Sequence, residues 1–276
     1  MKDNRIKRNH RKLALTIGCT ALVAVTLTAL AFGFCRLKEL WLEQSVIRNM
    51  SRQVAISSGK MVKADVLAEN FGLKTGANLA LIDFTAKRKE LLKRIPNLKS
   101  ITVARHLPDR VEITTEEREP IVRVNIRGRR NESGKVADAE GVVFICQRGT
   151  GLLPVIRESA VGATAPGHRL DKRARAALAL LDVCRDSEFQ ELAVLEADIT
   201  RPDYILATLG STYAQVKIAW EAMDEDTPAA RSSLRRQLRL LTKAMHTSAG
   251  GRVSVWNATD FSSPGRIYAD MKGNQK

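Results

Sequence analysis

The chain has 276 residues, and its 45 Lys and Arg against 30 Asp and Glu leave a net charge of +15. A hydrophobic share of 44% excludes a largely disordered chain and is enough for a membrane anchor plus one or two modest domains. The excess charge invites a nucleic-acid reading, so where that charge sits matters first.

Residues 1–12, "MKDNRIKRNHRK", set Lys2, Arg5, Lys7, Arg8, Arg11 and Lys12 against Asp3 and form a basic tail of +5. The next 23 residues, Leu13 to Cys35, carry no charge. At about 1.5 Å per residue, a helix of that length crosses a hydrocarbon core of about 30 Å. The Lys and Arg of the tail outnumber Arg36, Lys38 and Arg48 beyond the run, which predicts one span with its N-terminus in the cytoplasm and the rest outside. The alternative is a cleaved signal peptide at Ala29-Leu30-Ala31, which the continuation of the run through Phe32 to Cys35 opposes. A lipoprotein reading at Cys19 is discarded, because too few uncharged residues precede it. An exported domain meets no nucleic acid, so the basic excess faces lipid headgroups, wall polymer, an acidic partner or simply solvent. Residues 36–49 are a juxtamembrane linker that can continue the helix, with Leu37, Leu40 and Trp41 at helical spacing.

Val54 and Ile56 alternate in a strand before the turn at Ser57-Ser58-Gly59. Val62, Val66, Leu67 and Phe71 share a helical face that stops at Gly72. Asp83 caps a second helix whose apolar face is Phe84, Leu91, Leu92 and Ile95, and Pro96 ends it. Ile101 and Val103 share one face of a strand, Leu107-Pro108-Asp109 turns it, and Val111 and Ile113 share a face of the returning strand while Glu112 and Glu116 point outward. Strand, helix, helix, strand, strand over residues 50–119 predicts a two-layer unit. Pro120 to Val124 reads as a junction, since a proline suits a strand end and not a central ladder.

Residues 120–270 predict a second, mixed α+β domain with a largely antiparallel sheet, followed by a polar tail, 271–276. "KVADAEGVVF" reads as a hairpin with Asp138 and Gly141 at its turn, and Leu153 to Ile156 as the end of an apolar turn region. Ala174, Ala177, Leu178 and Leu181 mark a helix. "ELAVLEADI" and "YILATLG" read as strands, and Ala214, Val216, Ile218 and Trp220 alternate with Tyr213, Gln215 and Lys217 in another. Thr227 caps a long helix with Pro228 at its first position, a stripe of Ala230, Leu234, Leu238, Leu241 and Met245, and a stop at Gly250-Gly251. "RVSVW" and "RIYADM" close the sheet.

Several of these stretches resemble one family. "GANLALID", with Asn78 and Asp83, is similar to the connector of the FtsQ/DivIB cell-division proteins. Pro96, Val103, Arg105, Pro108, Glu117, Arg118 and Pro120 stand where that family has its P-x-hydrophobic, V-x-R-x-x-P and E-R-x-P pattern, and the hairpin around Asp138 and Gly141 resembles its D-x-x-G turn. The resemblance implies that residues 50–119 are a POTRA domain. It further implies a single-pass protein of the cytoplasmic (inner) membrane, with its bulk periplasmic or extracytoplasmic and enriched at the division septum. Such a protein is a non-catalytic divisome scaffold that binds other single-span division proteins, FtsB/FtsL-like and FtsK-like, and helps control septal peptidoglycan synthesis. The alternative is a POTRA-type chaperone or adaptor for secretion or envelope assembly. In the family the end of the second domain captures a partner by strand addition, and the matching residues here are Arg266, Ile267, Tyr268, Ala269 and Asp270. A last strand tends to be an edge strand, and Tyr268 offers an aromatic anchor.

No enzyme is expected. His10, His106, His168 and His246 are scattered without ligand spacing, and "GTGLLPV" lacks the Lys-Ser ending of a phosphate loop. Neither a metal, a cofactor, a small-molecule substrate nor a catalytic group is implied. Cys146 and Cys184 would lie outside the membrane, where pairing is open to them.

Overall fold

A computed structural model describes residues 25–126, 134–146, 149–158, 165–247, 253–262 and 265–271. The basic tail, residues 13–24 of the expected span, the Gly250-Gly251 stop, Pro264 and residues 272–276 of the polar tail lie outside the described residues. Residues 25–44 are helical (α1), and among the described residues no helix is long and apolar enough to cross a membrane. The chain divides into two compact units, one of Met1–Glu90 and Ile101–Thr115 and one of Leu91–Ser100 and Glu116–Lys276.

In the first unit, α2 (Met50–Gln53) leads into β1 (Val54–Ser57), α3 (Ala64–Phe71) and α4 (Phe84–Arg94), followed by β2 (Leu98–His106) and β3 (Arg110–Glu117); α4 from Leu91 on, β2 up to Ser100 and β3 from Glu116 on belong to the second unit. The sheet order is β1-β3-β2, with β1 parallel to β3 and Ile56 opposite Ile113. The strand-helix-helix-strand-strand order expected from the periodicity is present, with the Leu107–Pro108 peptide of the β2–β3 turn in cis. Leu67, Phe71, Leu79, Phe84, Val111 and Ile113 are buried at its core, where the Phe71 and Phe84 rings stack 5.8 Å apart. Val66 departs from the expected buried face: it is exposed, because α3 buries only the stripe through Leu67 and Phe71. Gly72 ends α3 at a φ of 72°, a left-handed conformation that lets its N–H reach back to the last turn.

The expected linker is instead bonded into the first unit. Ser45 and Ile47 are fully buried, Ile47 N–H donates to the Ala77 carbonyl at 2.8 Å, and Leu79 N–H donates to the Ser45 carbonyl at 2.9 Å. Gln53, also buried, accepts from the N–H groups of Arg48 and Asn49 at 2.7 Å each and donates to the Val46 carbonyl and the Asp109 carboxylate.

The second unit carries a sheet of nine strands among the described residues, ordered β12-β11-β10-β9-β8-β7-β4-β5-β6. They are β4 (Val122–Ile126), β5 (Lys135–Ala137), β6 (Val143–Ile145), β7 (Val155–Glu158), β8 (Val194–Asp198), β9 (Ile205–Leu209), β10 (Gln215–Ile218), β11 (Val253–Ala258) and β12 (Tyr268–Met271). Five neighbouring pairs are antiparallel, while β4–β7, β7–β8 and β10–β11 are parallel. Helices α5 (Lys172–Val183) and α6 (Pro228–Met245) and a 3-10 helix, Ser187–Leu192, share one core with the sheet. Asp171 and Thr227 cap α5 and α6 by accepting from the N–H of Ala174 and Ala230. Ala214, Val216, Ile218 and Trp220 are all buried and Tyr213 is exposed, as the alternation predicts.

Three expectations shift. Val122 and Val124 are buried in β4, a strand inside the sheet, so only Pro120 and Ile121 precede it and the junction does not extend to Val124. Val155 and Ile156 begin β7 and do not end a turn region. The closing strand starts at Tyr268, two residues after Arg266, and includes Met271.

Candidate functional site: an open sheet edge

The motif residues spread over the connector before α4, the β2–β3 hairpin and the short segments that flank this hairpin. The Asn78 side chain donates to the Leu42 carbonyl at 2.8 Å and accepts from Ala80 N–H, tying the connector to the end of α1. Asp83 accepts from Ala86 N–H as the cap of α4. Arg105 donates to the Ile82 carbonyl at 2.5 Å and lies 4.4 Å over the Phe84 ring. Pro108 forms the hairpin turn, Glu117 ends β3, and Pro120 lies between β3 and β4.

Arg118 and Pro96 belong to the second unit. The largely covered Arg118 donates to the Pro96 carbonyl at 3.1 Å and pairs with the buried Asp138 at 2.5 Å. Asp138 also accepts from the N–H groups of Glu140 and Val142, which shapes the D-x-x-G turn. Lys99 bridges Glu116 at 3.2 Å and Glu140 at 3.5 Å. Hydrogen bonding to Lys99, then to Ser100, holds the Glu116 carboxyl below its ordinary range. These motif residues act as joints of the backbone; their chemistry is structural.

The two ends of the nine-stranded sheet differ. At one end the backbone of β6 is already engaged: Val143 N–H donates to the His168 carbonyl, Gly167 N–H donates to the Val143 carbonyl, and the Asn97 side chain donates to the Ile145 carbonyl. At the other end β12 pairs only with β11 among the described residues, with Tyr268 opposite Asn257, Ala269 opposite Trp256 and Asp270 opposite Val255. The side chain of Ser254 donates to the Asp270 carbonyl across this pair at 3.0 Å. An edge of this kind leaves one row of N–H and C=O groups free for another strand. Tyr268, Ala269 and Asp270 are exposed, as is Arg266, while Ile267 packs partly against the core.

The approach to β12 is fixed by residues that periodicity does not reveal. Gln237 of α6 is completely buried and donates to the carbonyls of Ala258 at 3.2 Å and Asp260 at 2.9 Å, holding the end of β11 and the start of the loop. Asp260 accepts from the hydroxyl and N–H of Ser262, which lowers its carboxyl below the usual range. A Cβ on Gly265 would come within 2.6 Å of the Asp260 carbonyl oxygen, so only glycine lets the chain pass.

Residues 50–118 match the POTRA domain of the FtsQ type. The chain carries an FtsQ-type POTRA domain. Its similarity also extends to the cell division protein DivIB of Clostridium acetobutylicum, 25% identical over 93 residues, which are 34% of this chain and 35% of that protein. The chain thus matches about a third of the length of this relative. Together they support an FtsQ/DivIB family member, as the motifs imply.

Among the described residues no group of three His, Cys, Asp or Glu side chains could hold a metal ion. Burial pushes the Cys184 thiol up to about 12, out of reach of redox chemistry at neutral pH.

Proposed function

We propose that this protein is a non-catalytic scaffold of the cell-division apparatus, anchored by one span over residues 13–35 with residues 1–12 in the cytoplasm and both units outside. The observation that carries the reading is the asymmetry of the large sheet, covered at β6 and open at β12. The FtsQ-type domain and the DivIB relative supply the context of division. The large apolar side chains of α1, from Val25 through Leu40, are all exposed, which suits a helix whose surroundings are lipid. Nothing in the site is built to transform a substrate, so the chemistry on offer is recognition.

In this reading a single-span division partner of the FtsB or FtsL kind adds a strand to β12, with Tyr268 as the aromatic anchor beside the new strand. The test is capture of such a partner by the full-length chain in membranes, alongside a fluorescent fusion. Tyr268→Ala should weaken capture at least ~10-fold, in line with the loss of one aromatic anchor. Ile267→Ala should act mainly on stability. A fusion band at midcell supports the scaffold, and an even envelope signal favours an adaptor of secretion or envelope assembly. Full-affinity capture by a folded chain ending at Gly265 would rule out strand addition at this edge.

A further inference from the structure

We propose that the cleft at the N-terminal end of α4 binds an acidic peptide segment of a partner protein, gripping one of its carboxylates between Arg88 and Arg105. The cleft lies wholly within the first unit and has a volume of about 400 Å³. Phe84 and Arg88 are four residues apart on α4, and Thr85 and Arg88 three, so all three belong to the wall that faces Val103 and Arg105 of β2.

The two guanidinium groups are prepared in different ways. Arg105 is held in place by the Ile82 carbonyl and by the face of the Phe84 ring, and only one of its donors is used among the described residues. A guanidinium has five N–H donors in a rigid fork, so most of its capacity remains. Arg88 is exposed and makes no hydrogen bond or ion pair among the described residues, unlike its neighbour Lys87, whose ammonium donates to the Asn70 carbonyl. One positioned donor fork, with a second cation one helical turn inside α4, matches a carboxylate. The first turn of α4 adds the favourable sign of its peptide dipoles.

The other lining groups decide which anion. Asp83 stands on the wall with its carboxylate committed to Ala86 N–H, and its negative charge works against a dianionic phosphate more than against a carboxylate. The half-buried Ile82 and Val103 give the mostly polar cleft a small apolar part, which a phosphate or a sugar would leave unfilled and a short aliphatic side chain covers. A concavity of this volume admits a side chain. The occupant is therefore a peptide in which a carboxylate adjoins an apolar residue. The cleft is separate from β12 and does not depend on what that edge binds.

The test uses the full-length chain in neutral detergent and a fluorescein-labelled hexapeptide of alternating Leu and Glu, read by fluorescence anisotropy. The control peptide has Gln in place of Glu. The Glu peptide should bind ~3–5-fold tighter than the Gln peptide, the factor expected when a solvent-exposed donor fork loses its charged acceptor. Arg88→Glu should lose that preference while its thermal unfolding stays that of the wild type, since the exposed Arg88 makes no hydrogen bond or ion pair among the described residues. Arg105→Lys should weaken binding with the charge retained, because an ammonium offers neither the fork nor the stacking plane. Tyr268→Ala in the full-length chain should bind the peptide unchanged, which separates this site from the strand edge. Equal binding of the two peptides, an Arg88→Glu protein that keeps the preference, or complete displacement of the peptide by millimolar inorganic phosphate would each overturn the proposal.

Discussion

Glu158 closes strand β7, opposite Ile126 of β4, and is only 3% exposed. Neither of its carboxylate oxygens has a hydrogen-bond partner among the described residues. Burial, with a smaller contribution from the charge of Asp171, pushes this carboxyl from 4.5 up to about 7. The folded protein therefore holds the proton more tightly than the unfolded chain. Stability is complete below the unfolded value, falls as pH rises through the interval between the two values, and levels off above about 7. A displacement of that size corresponds to at most about 3 kcal/mol at ~1.4 kcal/mol per pH unit, and screening by nearby solvent reduces it to ~1–2 kcal/mol. Glu158→Gln keeps the side-chain volume and removes the ionisation, so it should be more stable than the wild type by ~1–2 kcal/mol at about pH 8 and by much less at about pH 5. Urea unfolding read through the tryptophans is the assay, since Trp220 and Trp256 are both buried in the core of the second unit. Groups other than residue 158 cancel in the difference between the two proteins. A stability difference that is the same at both pH values would refute the argument.

Gln53→Ala should destabilise the first unit by ~2–3 kcal/mol, because it strands two buried N–H groups at once, and amide exchange at Arg48 and Asn49 should lose its protection. Gly265→Ala should cost ~1–3 kcal/mol of overpacking against the Asp260 carbonyl and displace β12, which loss of exchange protection at Ala269 and Asp270 would report; unchanged protection there would show that the loop absorbs the methyl group.

Elements that announce themselves through local chemistry were legible in the chain. Thr227-Pro228 marks the start of α6, Asp83 that of α4, and the Ala214–Trp220 alternation a strand with one wet face. What local pattern misses is decided by distant partners. Val122 and Val124 follow a proline and read as a junction, yet β7 on one side and β5 on the other make their strand internal. Val66 has the spacing of a core residue, but α3 buries only the stripe through Leu67 and Phe71. Gln53 and Gln237 are polar residues with no periodic signal, and their buried amides find distant partners that only the fold supplies, the Asp109 carboxylate for Gln53 and the Asp260 carbonyl for Gln237. The candidate edge was half legible: its place at the end of the sheet follows a general tendency, while its start at Tyr268 depends on the constrained path through Gly265. The cleft was not legible at all, since it arises from two arginines on different elements.

The docking of residues 45–49 against the connector at 76–79 bears on how the first unit can move. A domain on a flexible string samples every orientation and spends that freedom when it binds. Here the end of α1 is pinned by the Asn78 amide and by backbone bonds from Ile47 and Leu79, as a key is fixed to a shaft. Whatever holds α1 upright therefore also sets the heading of the first unit about the helix axis. Part of the rotational entropy that association would otherwise remove is already spent within the folded chain. A twist applied to α1 should reach the POTRA domain as a turn of the whole body, so this helix works as an axle more than as a tether.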